Sequence, residues 1–457
     1  MLVLVVIAAV VLVIRPWGGG GGGDEAGGGN EAGSGEGTAE ELTGKVGWQV
    51  AADSGSARDL SGVLGSWSVP GAVVRADDAA IVSRDAASGE QRWGLRPPQG
   101  GKFCGVSQEA SDGVVALAYG LERELPYVKN LRTVDCSGVV LVDLATGKTR
   151  WQADLSETYS AKTLRRIGGS RPRTISLAIA EGTVAVAYYW SMVGLSLDDG
   201  ATRWEVKQFP TKAGDSTCVF TDVLVGPAGA VTLASCDRAH PIALVSFDPG
   251  TGKQRWRTDL SAAELGSEMG SGKWLVAADP VVVAVPKGDG PGKYLVLGDT
   301  GQVTTTISQT GSYGTLDMRA IGLSGGGRYR YRTVVSGDTL VTATEAAKVS
   351  DLRDTNSLVA FDLASGRPRW SKGLSKTSTT VPAVVDRDTV IAVRTGNYEE
   401  PPQAYRLKLA DGSGGPMGPA YGRELIYTPA NCLYRFTGNG LFLVSNLDRK
   451  MSAALLR

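Results

Sequence analysis

Through most of the chain, short apolar runs alternate with polar residues at a period of two and are separated by glycine-rich turns. This alternation predicts β-strands, because successive side chains of a strand point to opposite faces. Four segments repeat the pattern almost unchanged: IVSRDAASGEQRW, VLVDLATGKTRWQADL, LVSFDPGTGKQRWRTDL and LVAFDLASGRPRWSKGL. Each one predicts a strand, a tight turn and a second strand.

The repeat has three fixed positions around its turn. An Asp lies four residues before the turn glycine and a Trp lies four residues after it. Glycine supplies the positive φ angle of a hairpin turn, the Thr or Ser before it can hydrogen-bond the turn backbone, and the Trp ring is expected to be buried against the neighbouring unit. The complete sets are Asp85, Gly89 and Trp93; Asp143, Gly147 and Trp151; Asp248, Gly252 and Trp256; Asp362, Gly366 and Trp370.

Weaker copies of the repeat fill the gaps between the complete ones. They are Gly44 with Trp48, Gly200 with Trp204, Gly301 with Thr305 in the Trp position, and Gly412 with Pro416 in that position. Successive turn glycines are 45, 58, 53, 52, 49, 65 and 46 residues apart. Each interval has room for one four-stranded unit, so the sequence predicts eight units.

The repeat resembles Ala/Phe-x-Asp-x-x-Thr-Gly-x-x-x-Trp, the pyrroloquinoline-quinone repeat of the quinoprotein-like propellers. That family includes the propeller of quinone-dependent alcohol dehydrogenases and the outer-membrane assembly lipoprotein. The resemblance covers residues 43–457. It implies an all-β, eight-bladed β-propeller with four-stranded blades, in which the third and fourth strands of a blade flank the Thr-Gly turn.

The two ends of the repeat region predict how the ring closes. After Gly412 the chain offers three strands, near 432–436, 440–445 and 452–457, whereas the first copy at 43–50 is a fourth strand with no third strand before it. Pairing the two ends completes an eighth blade and leaves no open sheet edge. Seven closed blades with one stray strand is the alternative.

The N-terminus is expected to attach the propeller to a membrane. Residues 1–14 are uniformly apolar and are followed by Arg15, Pro16, Trp17 and six glycines. Fourteen helical residues span about 21 Å against roughly 30 Å of bilayer hydrocarbon, so a cleaved signal peptide and a buried core strand remain alternatives. The expected organisation is a transmembrane or signal-anchor helix at 1–17, a disordered Gly/Glu-rich linker at 18–42 and a propeller at 43–457.

This organisation predicts a single-pass protein of the cell membrane with its propeller on the extracytoplasmic side. A signal peptide carries a basic flank, and none precedes Leu2. We therefore expect the true start to lie further upstream in a longer reading frame.

The five cysteines suit an oxidising compartment. Cys218 and Cys236 flank two apolar runs whose midpoint, residue 227, falls in the turn between them, so a cross-strand disulfide is expected. Cys104 and Cys136 bracket the first three strands of their blade and are expected to form a second disulfide. Cys432 is left over as an unpaired thiol.

Charge and residue types exclude several classes of function. Lys and Arg total 47, as do Asp and Glu, so no net field favours nucleic acid. Dehydrogenases of the family carry adjacent cysteines over the quinone and a calcium ion held by Glu, Asn and Asp. This sequence has no adjacent cysteines, one histidine and no assignable ligand set. We expect no catalytic residue, no cofactor and no metal.

Long connections between the second and third strands of several blades suggest a binding face. They are LERELPYVKNLRTVD (121–135), KGDGPGK (287–293), EAAKVSDLRDTNS (345–357) and TGNYEEPPQ (395–403). Two to six residues suffice for such a connection, so these lengths call for a reason, although plain solvated loops remain the alternative. The candidate binding residues are Tyr127, Lys129, Arg132, Arg238, His240, Arg353 and Tyr398.

The sequence therefore predicts a monomeric, membrane-anchored scaffold that binds a protein partner without catalysis. A sensor, a small-ligand-binding propeller and a degenerate quinoprotein are the alternatives.

Overall fold

The structure is a computed structural model. It describes residues 42–51, 63–124, 132–155, 175–188, 190–207, 209–214, 217–236, 241–261, 274–285, 292–318, 320–321, 330–331, 333–350, 353–425, 432–437, 440–445 and 451–457. The predicted anchor at 1–17 and nearly all of the predicted linker lie outside these ranges. Within them, no helix is long and apolar enough to span a membrane.

The described chain forms eight four-stranded antiparallel sheets, as the repeat predicts. The first four blades are built from consecutive strands. Blade 1 has β2 (Gly65–Val69), β3 (Ala72–Ala76), β4 (Ile81–Asp85) and β5 (Gln91–Leu95); blade 2 has β6 (Lys102–Val106), β7 (Val114–Glu124), β8 (Arg132–Asp143) and β9 (Thr149–Asp154); blade 3 has β10 (Ser176–Ala180), β11 (Thr183–Tyr188), β12 (Ser191–Ser196) and β13 (Thr202–Lys207); blade 4 has β14 (Val219–Gly226), β15 (Gly229–Ser235), β16 (Ile242–Phe247) and β17 (Gln254–Leu260).

The remaining blades include one insertion and the closure. Blade 5 has β18 (Trp274–Ala278), β19 (Val281–Val285), β20 (Lys293–Leu297) and β21 (Val303–Ser308); blade 6 has β26 (Thr333–Ser336), β27 (Thr339–Ala343), β30 (Ser357–Asp362) and β31 (Pro368–Gly373); blade 7 has β32 (Thr380–Asp386), β33 (Thr389–Arg394), β34 (Gln403–Lys408) and β35 (Gly414–Pro416); blade 8 has β36 (Cys432–Thr437), β37 (Gly440–Ser445), β38 (Met451–Leu456) and β1 (Val46–Ala51).

Short elements lie between and within these blades. Three two-stranded sheets are described: β22 (Thr310–Gly311) with β23 (Gly314–Thr315), β24 (Ala320–Ile321) with β25 (Arg330–Tyr331), and β28 (Ala347–Ser350) with β29 (Arg353–Thr355). Single 3-10 turns occupy Pro98–Gly100 and Arg423–Leu425.

The ring closes through the two chain ends. Strand β1 pairs antiparallel with β38, with Val46 opposite Leu456 and Ala51 opposite Met451. Lys45 and Arg457 exchange both backbone hydrogen bonds, each at 2.9 Å. The eighth blade is confirmed, and the alternative of seven blades with a stray strand is wrong.

The closure also extends the fold by one residue beyond the predicted boundary at 42/43. Leu42 is buried, and its N–H donates to the carbonyl of Met417 at 2.6 Å. An apolar side chain with a paired backbone belongs to the core, so the propeller includes Leu42 rather than leaving it to the linker.

The hydrophobic core lies between neighbouring blades. Ala116 and Leu141 of blade 2, for example, pack with Leu177 and Val186 of blade 3, and all four are buried. Neighbouring blades therefore cover both faces of a middle strand. For this reason the sequences of the middle strands are continuous apolar runs.

Each repeat Trp packs against the turn glycine of the next blade. The Trp151 ring lies against Gly200, the Trp204 ring against Gly252 and the Trp256 ring against Gly301, with glycine φ angles of 75°, 70° and 83°. A Cβ added at these glycines would lie 2.5–2.7 Å from a ring atom. The turn therefore requires glycine for two reasons. Its φ angle is positive, and the Trp ring occupies the space that a side chain would need.

Burial of the repeat Trp residues is less uniform than the sequence predicts. Trp151, Trp204, Trp256 and Trp370 are buried, whereas Trp48 and Trp93 are only half-buried. The rings sit on the outermost strand of a blade, where a neighbour covers one side and the perimeter leaves part of the other side open.

The repeat Asp closes its own turn. In blade 2 the Oδ1 atom of Asp143 accepts hydrogen bonds from the backbone N–H and the hydroxyl of Thr146, at 3.0 and 2.9 Å, and Oδ2 accepts from Arg150 at 2.9 Å. The guanidinium of Arg150, followed by the Thr146 bonds, lowers the pKa of the Asp143 carboxyl. The same Asp–Arg pair recurs as Asp85 with Arg92, Asp248 with Arg255, and Asp362 with Arg369.

Candidate protein-binding face

The blade topology sorts the connections onto two faces of the ring. Antiparallel strands place the connections between second and third strands, and those between blades, on one face, which we call the loop face. The Asp–Gly–Trp turns lie on the opposite face, which we call the turn face. The described ends of all four long connections therefore lie on the loop face, as predicted from the sequence.

The predicted binding residues differ in how far the structure describes them. Tyr127 and Lys129, in 125–131, and Arg238 and His240, in 237–240, lie outside the described residues. Arg132 begins β8, where its backbone pairs with Glu124. Arg353 and Tyr398 are described, and the structure brings their loops together.

Tyr398 lies at the tip of the connection between β33 and β34 and is 68% exposed. Its neighbours are held by hydrogen bonds. The Asn397 side chain accepts from the N–H groups of Glu399 and Glu400, at 2.8 and 2.9 Å, and donates to the carbonyl of Thr377 at 2.6 Å. The loop is thus closed by its polar residues, and its one aromatic side chain faces solvent.

Glu400 fastens the same loop to the connection between blades 6 and 7. Its carboxylate accepts hydrogen bonds from the hydroxyls of Ser375 and, at 2.9 Å, Thr377. These bonds, together with nearby Arg394, lower the Glu400 pKa despite the opposing effect of burial, which is the largest single contribution. The carboxylate is therefore charged at neutral pH.

Arg394 supports the loop from below. Its guanidinium is buried and donates to the carbonyl of Pro401 at 2.8 Å and to the hydroxyl of Tyr405 at 3.0 Å. Because this guanidinium is buried and hydrogen-bonded, it holds in place the backbone of the loop that carries Tyr398.

The β28–β29 hairpin of blade 6 lies beside this loop. Arg353 at the start of β29 forms an ion pair with Glu399, and the hydroxyl of Thr355 donates to the carbonyl of Ser375 at 2.7 Å. Asn356 then bridges the two blades, since its amide contacts the carbonyl of Thr344 and both backbone groups of Thr380. Blades 6 and 7 therefore present a single cross-linked surface.

Exposed large apolar side chains concentrate on the loop face. Of the four among the described residues, Leu121, Val349 and Tyr398 lie there, at 51%, 53% and 68% exposure. The fourth, Val303, is 38% exposed beside a turn-face glycine. Leu121 and Val349 were not predicted as candidates, because their only signal in the sequence is an apolar residue within a charged connection.

Both disulfides also lie at the loop face. Cys104 is bonded to Cys136, and Cys218 to Cys236, so the structure contains the two pairings that the sequence suggests. Cys218 and Cys236 directly flank the paired residues Val219 and Ser235. Cys432 is buried in blade 8.

Among the described residues, no group of three or more His, Cys, Asp or Glu side chains is placed so that it could hold a metal ion. The adjacent cysteines that the resemblance implies over a quinone are absent from the sequence.

Eight closed blades with this turn define a pyrroloquinoline-quinone-repeat propeller. The family model described as outer membrane protein assembly factor BamB matches residues 37–223, 133–289 and 243–413, so the chain belongs to this family. A search of curated proteins finds no match.

Comparison with solved structures finds similar chains at low sequence identity. Quinohemoprotein alcohol dehydrogenase from Comamonas testosteroni is 12% identical with a TM-score of 0.52, and the match covers 91% of this chain and 76% of that chain. BamB from Moraxella catarrhalis is also 12% identical, with a TM-score of 0.45 and coverage of 90% and 99%.

Proposed function

We propose that this protein is a membrane-anchored, extracytoplasmic scaffold that binds another protein on its loop face and catalyses no reaction. The observation that carries the proposal is Tyr398, an exposed aromatic side chain on a loop whose flanking residues are fixed by hydrogen bonds. An aromatic anchor that is ordered before binding loses little entropy on association, and such residues dominate binding energy at protein interfaces.

Three further features support the proposal. Membership of a family described as an outer membrane assembly factor favours a role in protein–protein contact. Two disulfides are typical of proteins in oxidising compartments. The apolar N-terminal segment at 1–14 would supply the anchor.

The test is affinity isolation of the tagged full-length protein from its native membranes, followed by quantitative mass spectrometry. Wild type is compared with Tyr398→Ala and with the turn-face control Val303→Ala. We expect one or a few proteins to be enriched with wild type and with Val303→Ala, and to be lost with Tyr398→Ala.

The proposal is wrong if no protein is enriched, or if the enriched proteins are unchanged by Tyr398→Ala. Equilibrium dialysis with pyrroloquinoline quinone and calcium tests the non-catalytic part separately. Retention of the quinone by the wild-type protein would contradict that part.

A further inference from the structure

The first strands of the blades line the axis of the ring. First strands of neighbouring blades contact one another: β36 with β2, β6 with β10, β10 with β14, β14 with β18, β18 with β26, β26 with β32, and β32 with β36. Each first strand runs from the loop face to the turn face, because the turn to the second strand follows it on the turn face. The ends of these strands and the turns after them therefore surround the axis on the turn face.

The turn-face end of the axis is apolar. In blades 3 to 8 the last-but-one residue of the first strand is an apolar residue that remains half-buried: Ile179, Val225, Ala277, Val335, Val385 and Phe436. We call these six residues the apolar ring. Each of them retains apolar surface in contact with water, so covering the ring with a further apolar group is favourable.

The turns that follow the first strands are acidic. Five exposed carboxylates of these turns form what we call the acidic rim: Glu109, Asp112, Glu181, Asp279 and Asp388. None of the five forms an ion pair or a side-chain hydrogen bond within the described residues. Asp338, in the turn of blade 6, is paired with Arg369. In the described part of these turns Arg387 is the only exposed basic residue, so unpaired carboxylates outnumber unpaired cations five to one and the rim attracts positive charge.

Hydrogen bonds fix the backbone that carries the rim. In three blades the residue after the third strand donates its backbone N–H to the carbonyl of the inner turn at 2.8 Å: Leu144 to Gly113, Leu197 to Gly182, and Leu409 to Asp388. Arg435 of β36 donates to the carbonyls of Ser66 at 2.9 Å and Gln108 at 3.5 Å, and so joins blade 8 to blades 1 and 2. A rim that is ordered before binding lowers the entropic cost of association.

The charge of the rim decides between possible occupants. The chain's own segment at 18–41 contains six acidic residues and no basic one, and a second copy of the chain would bring a second acidic rim. Repulsion between like charges opposes both of these occupants. A segment that carries an apolar side chain between basic ones is complementary to an apolar ring inside an acidic rim.

We propose that the turn face contains a second binding site, in which a basic segment of a partner protein places an apolar side chain on the apolar ring and its Lys or Arg side chains on the acidic rim. The site lies on the face opposite Tyr398 and does not depend on the loop face. Val303 is also on the turn face, but it belongs to the outermost strand of blade 5. Three strand spacings, about 14 Å, separate that strand from the innermost one, so an occupant of this site leaves the Val303 controls valid.

The test is selection of a phage-displayed library of linear peptides on the full-length protein. Counter-selection uses a rim variant that combines four substitutions at exposed positions: Asp112→Asn, Glu181→Gln, Asp279→Asn and Asp388→Asn. The matched control carries Glu90→Gln and Asp299→Asn, which remove two exposed carboxylates of outer turns on the same face. We expect the selected peptides to contain an apolar residue flanked by Lys or Arg.

Affinities of the synthesised peptides separate the two parts of the site. The rim variant should weaken binding by about fivefold or more and remove most of its salt dependence, whereas the matched control and Tyr398→Ala should change it by less than about twofold. Replacing the apolar residue of the peptide by Ser should weaken binding by about fivefold or more, as should Val385→Ser in the apolar ring. Thermal melting verifies that each variant is folded, and the peptide substitution tests the ring even if Val385→Ser is unstable.

Four results would overturn the proposal. They are selected peptides without the basic and apolar pattern, binding that the rim variant leaves unchanged, binding that does not depend on the apolar residue of the peptide, and binding of 2-phenylethylamine as tight as that of the peptides. The third would reduce the site to unspecific attraction of cations, and the fourth would make it a small-ligand site. None of them bears on the loop face, which the Tyr398→Ala isolation experiment tests separately.

Discussion

The ring of Trp93 in blade 1 lies directly on Gly147, the turn glycine of blade 2. The φ angle of Gly147 is 72°, and an added Cβ would lie 2.5 Å from the Trp93 ring. Gly113 of the same blade has a φ angle of 71° and nothing within 4 Å of an added Cβ. The two glycines therefore have nearly the same φ angle and differ in what surrounds them.

This pair separates the conformational from the steric role of the repeat glycine. Gly113→Ala should lower the free energy of unfolding by about 1–2 kcal/mol, the cost of a left-handed residue with a side chain. Gly147→Ala should cost a further 1–3 kcal/mol or so, because the ring must move. Urea unfolding of the two variants checks this, and equal losses would mean that the Trp93 ring does not occupy the turn.

Blade 5 provides a natural comparison for the repeat Trp. Trp151 donates its indole N–H to the carbonyl of Leu197 at 2.8 Å, and Thr305, in the equivalent position, donates its hydroxyl to the carbonyl of Ala364 at 2.9 Å. Trp151→Ala should lower the free energy of unfolding by about 3–5 kcal/mol through loss of a buried ring.

Thr305→Ala removes the hydrogen bond and one methyl group, so it should cost about 1–2 kcal/mol. Thermal and urea denaturation of both variants measure the difference. A wild-type melting temperature for Trp151→Ala would show that this ring does not hold blades 2 and 3 together.

The turn aspartates should make the stability of the fold depend on pH in the acidic range. Hydrogen bonds and an Arg partner lower the pKa of Asp85, Asp143, Asp248 and Asp362 in the folded state. Their stabilisation is complete above the unfolded-state pKa of about 4 and is lost as the pH falls through the lower folded-state values. Unfolding free energy should therefore decrease below about pH 4.

Asp143→Asn and Asp362→Asn keep the side-chain oxygen that accepts backbone N–H groups but cannot titrate. Each variant should be less stable than wild type at pH 7 and should lose less stability on acidification. Urea titrations at a series of pH values test this, and a wild-type acid dependence in the double variant would show that these aspartates do not control it.

Ring closure predicts different outcomes for two N-terminal deletions. Removal of residues 1–41 keeps Leu42 and β1 and should leave a folded, monodisperse ring. Removal of residues 1–51 exposes the edge of β38 and takes Trp48 from its position against Gly89, so aggregation is expected. Light scattering and melting temperatures compare the two, and equal behaviour would mean that β1 contributes nothing to closure.

Most of the fold could be predicted from the repeat, because the residues that define the repeat act on the chain close to them in sequence. Glycine at a positive φ angle, an Asp that closes its turn and a Trp at constant spacing all act within a few residues, so Gly200 with Trp204 could be recognised even with Ser196 in the Asp position. The role of Arg150 was missed although an Arg precedes Trp in every complete copy. Its partner is the repeat Asp itself, seven residues away across the turn.

The candidate binding face was only partly predictable from the sequence. Loop length indicated the region, and the blade topology places Arg353 and Tyr398 on the loop face, while their role in binding stays a prediction. The contact between Arg353 and Glu399 joins residues 46 positions apart, and the exposure of Val349 depends on how β28 pairs. Neither feature can be predicted from the alternation of apolar and polar residues or from the spacing of the repeat, because both depend on packing between blades.

Site-specific photocrosslinking tests the central claim most directly. A photoreactive phenylalanine analogue at Tyr398, introduced into the full-length protein in its native cells, should give a discrete crosslink to another protein after irradiation. The same analogue at Val303, exposed on the turn face, should give none. Crosslinks at neither position, or the same crosslinks at both, would contradict a protein-binding loop face.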